Sequence, residues 1–141
     1  MSHSRILDYE LARVLLVDDD PASRLTLKTV LEAGGYNVDS AASAAEAVGK
    51  LDAGEYELVL SDLDMESPQA GRKVIAHARI MDYKPATALI TTYQNAKPTA
   101  GGRDSVLIKP EDVPGLLSKV ADLISQRATR RLERELRLAG V

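Results

Sequence analysis

A chain of 141 residues with 45% hydrophobic and 28% charged residues has the size and composition of one globular domain and is too short for two. The absence of cysteine excludes disulfides, thiol catalysis and thiolate metal sites. No apolar run approaches the roughly 18 residues of a membrane span, and no secretory signal pattern opens the chain, so a cytoplasmic location is expected.

Residues 1–12 precede the first patterned element and read as an N-terminal extension. Val14-Leu15-Leu16-Val17 is a short continuous apolar run ending in three aspartates, the pattern of a strand buried on both faces. Asp20-Pro21 then has the form of a helix start, with Asp as N-cap and Pro at the first helical position. Ala22, Leu25, Val30 and Leu31 give that helix its stripe, and Gly34-Gly35 stop it. A second strand is expected over 36–40, and a helix over 44–51 closed by Gly54. Leu58-Val59-Leu60-Ser61 reads as another buried strand, ending at Asp62. A helix over about 71–81 carries Val74, Ile75 and Ala78 on one side. Ala86 to Ile90 forms a fourth strand ending at Thr91-Thr92, and Val106-Leu107-Ile108 a fifth ending at Lys109-Pro110. The last helix begins near Asp112 with Leu116, Leu117, Val120, Leu123 and Ile124 as its apolar face. Strands alternating with helices imply right-handed crossovers and a single doubly wound α/β sheet of five parallel strands, covered on both faces. The expected divisions are residues 1–12, a domain over 13–127 and a basic amphipathic helical extension over 128–141.

The net charge of −3 is uneven: residues 127–141 carry +3 and the remainder −6. With Leu132, Leu136 and Leu138 interleaved among the arginines, this end reads as a solvated amphipathic helix, and direct contact with nucleic acid is not expected.

Ligands of open α/β sheets bind beyond the carboxyl ends of the strands. The residues just past the apolar runs are Asp18-Asp19, Asp62, Thr91 and Lys109. Any one of them alone is as well explained as a cap or turn residue, and Asp20 is so read. Together they form a set suited to a cation and a phosphoryl group. Three neighbouring carboxylates repel and raise one another's pKa, a conflict that a divalent cation removes. Oxygen-only ligands select a hard ion, Mg2+. A carboxylate in such a place can attack phosphorus to give an aspartyl phosphate.

Over roughly residues 13–127 the chain resembles the receiver domains of two-component response regulators. The match is carried by Val17-Asp18-Asp19-Asp20-Pro21, Leu58-Val59-Leu60-Ser61-Asp62-Leu63-Asp64-Met65, Thr91-Thr92-Tyr93 and Lys109-Pro110, in this order. The resemblance implies a flavodoxin-like strand order 2-1-3-4-5. It implies that Asp62 is the phosphoacceptor, that Asp19 binds Mg2+ directly and Asp18 mostly through water, and that Asp64 binds it by its backbone carbonyl. Thr91 and Lys109 would hold the phosphoryl group, and Lys109-Pro110 matches a step that is often cis in the family. The implied donor is a sensor histidine kinase or phosphotransfer protein, with small acyl phosphates as substitutes. Such a domain is a regulatory phosphoacceptor, with phosphoryl transfer and self-dephosphorylation as its only chemistry.

The sequence also departs from that pattern. Met65-Glu66 stands where Met-Pro is usual, although Gly71 falls near the family's glycine. Asp64 adds a negative side chain beside the site. Val106 replaces the usual aromatic switch residue. The segment 93–105, where the family has its fourth helix, is about one turn short, contains Pro98 and Gly101-Gly102, and has almost no apolar stripe. That helix is therefore expected to be shortened or absent, and the output face that it forms with the fifth strand and last helix to be atypical.

Two other readings stand beside this one. A degenerate receiver would serve as an interaction module without phosphorylation. Asp62-Leu63-Asp64 also resembles the DxD of haloacid-dehalogenase-type phosphohydrolases, but that family places its acidic metal-binding pair late in the chain, whereas Asp18-Asp19 comes first. No P-loop is present. His77 reads as a surface or boundary histidine, and Tyr93 as a loop residue beside the site. Nothing breaks the last helix before Gly140, so its end is expected to mediate a homodimer or lead to an output domain.

Overall fold

The computed structural model describes residues 11–63, 65–67, 69–92, 105–108 and 113–140, with 91–92 and 105–108 as backbone only. The elements are β1 (Arg13–Val17), α1 (Pro21–Ala33), β2 (Asn37–Ala41), α2 (Ala44–Ala53), β3 (Leu58–Asp62), α3 (Ala70–Arg79), β4 (Ala86–Thr92), β5 (Ser105–Ile108) and α4 (Val113–Leu138). The strands form one five-stranded parallel sheet in the order β2-β1-β3-β4-β5, as the resemblance implies. The expected remnant of a helix over 93–105 falls almost wholly outside the described residues, as do Asp64, Tyr93 and the Lys109-Pro110 step.

Val14, Leu15, Leu16 and Val17 are all fully buried, because β1 sits mid-sheet with a helical layer on each side. Val14 and Leu16 join Leu58, Leu60, Ala88 and Leu31 of α1, together with Leu116 and Val120 of α4. Leu15 and Val17 face the other way, with Val59, against Ala47 and Leu51 of α2 and Val74 and Ala78 of α3. Each such aliphatic side chain contributes roughly 1.5–3 kcal/mol by leaving water, so the aliphatic core needs neither Phe nor Trp.

Two boundaries differ from the sequence reading for local reasons. Gly35 adopts φ 99, and the Tyr36 N–H donates to the Leu31 carbonyl at 3.2 Å. Tyr36 thus belongs to the turn that ends α1, and β2 runs over 37–41 rather than 36–40. At the end of α3, Ile80 and Met81 donate to the carbonyls of His77 and Ala78, each at 3.2 Å. This tightened last turn ends the helix at Arg79, short of Met81. His77 itself lies 2.8 Å from Asp52, linking α3 to α2.

The helix starts follow their caps. Asp20 accepts from the Ser23 N–H at 2.9 Å with Pro21 next in line, and Ser43 accepts from the Glu46 N–H at 3.1 Å. α4 packs on the sheet through its first half. It continues as helix from Arg127 to Leu138, a further roughly 16 Å at 1.5 Å per residue. Over that length Leu132, Leu136 and Leu138 are exposed. No described helix is long and apolar enough to cross a membrane.

Candidate metal centre

The sheet order reverses at β1: β2 lies on one side of it and β3 on the other. That is the topological switch point, where loops from adjacent strands diverge and leave a crevice at the carboxyl ends. The register places the acidic residues there. Val17 pairs with Ser61, so Asp18 and Asp62, each one residue further on, stand side by side.

Asp19 completes the group. One carboxylate oxygen from each of Asp18, Asp19 and Asp62 lies within 4.8 Å of the others. Asp18 is buried, Asp62 half-buried and Asp19 exposed, so the group opens to solvent on one side. Burial, and then the charges of Asp62, Asp19 and Asp20, push the Asp18 carboxyl up to about 6, against the opposing pull of the Asp20 backbone N–H. That N–H donates to Asp18 Oδ1 at 2.9 Å. Asp20 points away from it as the cap of α1, and its carboxyl is held below the usual range chiefly by the Ser23 N–H.

The donor set fits Mg2+ and not a softer metal. It offers only carboxylate oxygens, they are close enough to share one ion, and their mutual repulsion is what a divalent cation relieves. Of the residues singled out from sequence, the fold therefore brings together Asp18, Asp19 and Asp62. The backbone of Thr91 lies at the same end of the sheet, one residue beyond Ile90, which pairs with Asp62. Asp64 and Lys109 lie outside the described residues.

Three further residues support this end of the sheet. Arg24 reaches back from α1 and donates to the Asp18 carbonyl at 2.8 Å. Nothing in the sequence pairs these positions, because α1 must first fold over the strand end. Glu66 accepts from the Ala44 N–H at 3.1 Å, tying the loop after β3 to the start of α2. Gly71 is the closest approach of all: a Cβ there would lie 2.4 Å from the Asp62 carbonyl oxygen and 3.3 Å from Leu89. Any larger residue would push α3 off the end of β3 and shift Asp62. Its position near the family's glycine was the one sequence signal for this contact.

This crevice defines an open α/β protein with an acidic, cation-suited cluster at its switch point, and comparison with known proteins gives the family. The chain matches the response regulator receiver domain model over residues 14–121, and it belongs to that family. It is 30% identical over 132 residues to the transcriptional regulatory protein GlrR of Escherichia coli, covering 91% of this chain and 30% of that one. The chain thus spans less than a third of that relative's length. Among solved structures, a response regulator receiver protein from Sinorhizobium medicae superposes with a TM-score of 0.72 at 25% identity, over 84% of this chain and 98% of that one. The response regulator TrrA from Thermotoga maritima, solved in complex with Mg2+ and BeF, gives 0.64 at 28% identity over 80% and 99%.

Proposed function

We propose that this receiver domain takes a phosphoryl group onto Asp62 from the phosphohistidine of a sensor kinase or phosphotransfer protein. The observation that carries the reading is the in-register placement of Asp18 beside Asp62, with Asp19 within reach of both. An Asp62 carboxylate oxygen attacks phosphorus. The P–O bond forms as the P–N bond to histidine breaks, and the imidazole leaves with a proton. Water later attacks the aspartyl phosphate and returns the carboxylate and inorganic phosphate.

Asp19 and Asp62 would hold Mg2+ directly, Asp18 through water and Asp64 by its backbone carbonyl. When bound, the ion neutralises charge on the phosphoryl oxygens and on the carboxylates gathered round it. The Thr91 hydroxyl donates to one phosphoryl oxygen and the Lys109 ammonium pairs with another. Asp18 is held in place by the Asp20 N–H, which donates to its Oδ1. In this reading residues 13–127 are the receiver unit, and the rest of α4 carries the signal to an output domain or a second copy. Output runs through a face altered by Val106 and the short 93–105 segment.

The test is mass spectrometry after incubation with acetyl phosphate. A single phosphoryl adduct is expected only with Mg2+ present, and none in Asp62→Asn. An unmodified wild-type protein under the same conditions would favour the degenerate-receiver reading instead.

A further inference from the structure

The end of the sheet remote from Asp62 carries a second, oppositely charged concavity. There α4 runs past the turn joining α3 to β4, and the two enclose a groove of about 700 Å³. Arg127, Arg130, Arg131, Arg134 and Arg137 of α4 all line it. Their spacing of three and four residues keeps them on one face of the helix. Arg79 and Lys84 line it too, and Glu133 is the one carboxylate among the described lining residues. Lys84 and the five α4 arginines make no ion pair with a carboxylate among the described residues.

The floor of the groove is built rather than incidental. Arg127 is only 7% exposed, and its guanidinium donates to the Lys84 carbonyl at 2.9 Å and the Tyr83 carbonyl at 2.7 Å. Both acceptors are neutral, so the charge is positioned without being cancelled. Lys84 holds φ 43, a left-handed conformation rare for a residue with a side chain. Such a conformation costs about 1 kcal/mol or more and persists only when its surroundings enforce it. Here the Arg127 fork, the Lys84 N–H to the Met81 carbonyl at 3.0 Å and the Lys84 Nζ to the Arg79 carbonyl at 3.0 Å enforce it. Burial, followed by the charges of Arg131 and Arg130, pushes the Arg127 guanidinium below its ordinary value, with Glu57 and Glu55 acting the other way.

We propose that this groove binds a small polyanion bearing a chain of phosphates, the chemistry shared by nucleoside triphosphates and inorganic polyphosphate. Its volume falls in the range of about 300–1,000 Å³ typical of small-ligand clefts. Guanidinium forks grip phosphate oxygens two at a time. From Arg127 to Arg137 the stripe extends about 15 Å, enough for several linked phosphates. The α3–β4 turn walls one side of the groove, which suits a small ligand rather than a continuous nucleic-acid backbone. The site is separate from Asp62 and stands or falls independently of its phosphorylation.

Isothermal titration of the full chain with tripolyphosphate, and separately with ATP, tests this at physiological salt. EDTA is included so that the aspartate cluster cannot take part through a metal. One-to-one binding in the micromolar range is expected for both probes. ATP binding more tightly than tripolyphosphate would identify a nucleotide ligand, and equal affinity a phosphate chain alone; either supports the groove. Arg134→Glu should weaken binding about tenfold or more, as loss of a charge-assisted contact implies, whereas Lys73→Glu, an equal charge change on exposed α3 surface, should have little effect. Both positions are exposed, and matching thermal melts verify that the variants fold. Absence of binding by both probes at millimolar concentration overturns the proposal. So does equal weakening by both variants, or displacement of tripolyphosphate by a DNA duplex.

Discussion

The two ends of this sheet solve opposite electrostatic problems. At the carboxyl ends, Asp18, Asp19 and Asp62 are gathered within 4.8 Å, and the fold raises the Asp18 carboxyl to about 6 by burying it among like charges. At the amino ends, the ionic groups next to the strands are compensated. Arg13 pairs with Asp39 at 3.0 Å and lies over the Tyr56 ring at 4.8 Å, while the Tyr56 hydroxyl donates to Asp39 at 2.7 Å. Arg127 differs: two neutral carbonyls hold its guanidinium in place without cancelling its charge. One end therefore holds charge in tension for a ligand, and the other uses charge to join elements. Further out on α4 the arginines make no ion pair among the described residues, and that is where a ligand site is proposed.

The largest effect is expected at Gly71, at the carboxyl end. Gly71→Val sets a side chain against the Asp62 carbonyl, and overpacking of this kind costs about 3 kcal/mol. A large fall in the urea midpoint, together with slower phosphorylation by acetyl phosphate, is expected. Unchanged values for both would mean that α3 and β3 do not meet as closely as described.

Next comes Arg127→Met, which keeps the aliphatic stem but removes the fork from the Tyr83 and Lys84 carbonyls. The expected cost is about 2 kcal/mol, from the loss of hydrogen bonds made by a charged group. Faster hydrogen exchange at residues 81–85 should accompany it, because the left-handed Lys84 loses its clamp. A stability loss without local exchange would place the arginine's contribution elsewhere.

The smallest effect is expected at Asp18, and its sign is opposite. The folded carboxyl, at about 6 against an ordinary 3.8, binds its proton more tightly than the unfolded chain does. Its favourable contribution is present below pH 4 and is lost as pH rises through 6. Metal-free protein should therefore lose stability across that window. Asp18→Asn should flatten the slope and stabilise metal-free protein at pH 7 by about 1–2 kcal/mol. Thermal melts in EDTA at several pH values check this, and saturating Mg2+ should reverse the ranking of wild type and variant. A pH slope identical in the variant would show that the strain resides in another group.

Much of the carboxyl end was legible in the sequence because parallel strands repeat a simple rule. Each buried strand is a short apolar run, and the residue after it emerges at the same end of the sheet. Val14–Val17 before Asp18 and Leu58–Ser61 before Asp62 follow that rule, and so the acidic cluster could be read residue by residue. The amino end has no such rule. The arginines of α4 read as a solvated helix face because nothing in their spacing reveals that the α3–β4 turn lies alongside. Arg24 and Glu66 were equally silent, since their partners at Asp18 and Ala44 become neighbours only after helices fold back over the sheet.

The alternation of elements, the burial of the central strands and the aspartates that end them follow from the order of residues alone. These depend on hydrophobic runs and local caps, which act over a few residues. The distances come only from the folded chain: which carboxylates lie within 4.8 Å, that Gly71 must lack a side chain, and that Arg127 is buried with its charge intact. Those depend on crossovers that bring residues more than forty positions apart into contact, as Arg127 meets Tyr83 and Lys84. Local patterning carries no record of such a meeting, because the free energy that rewards it exists only once both elements are in place.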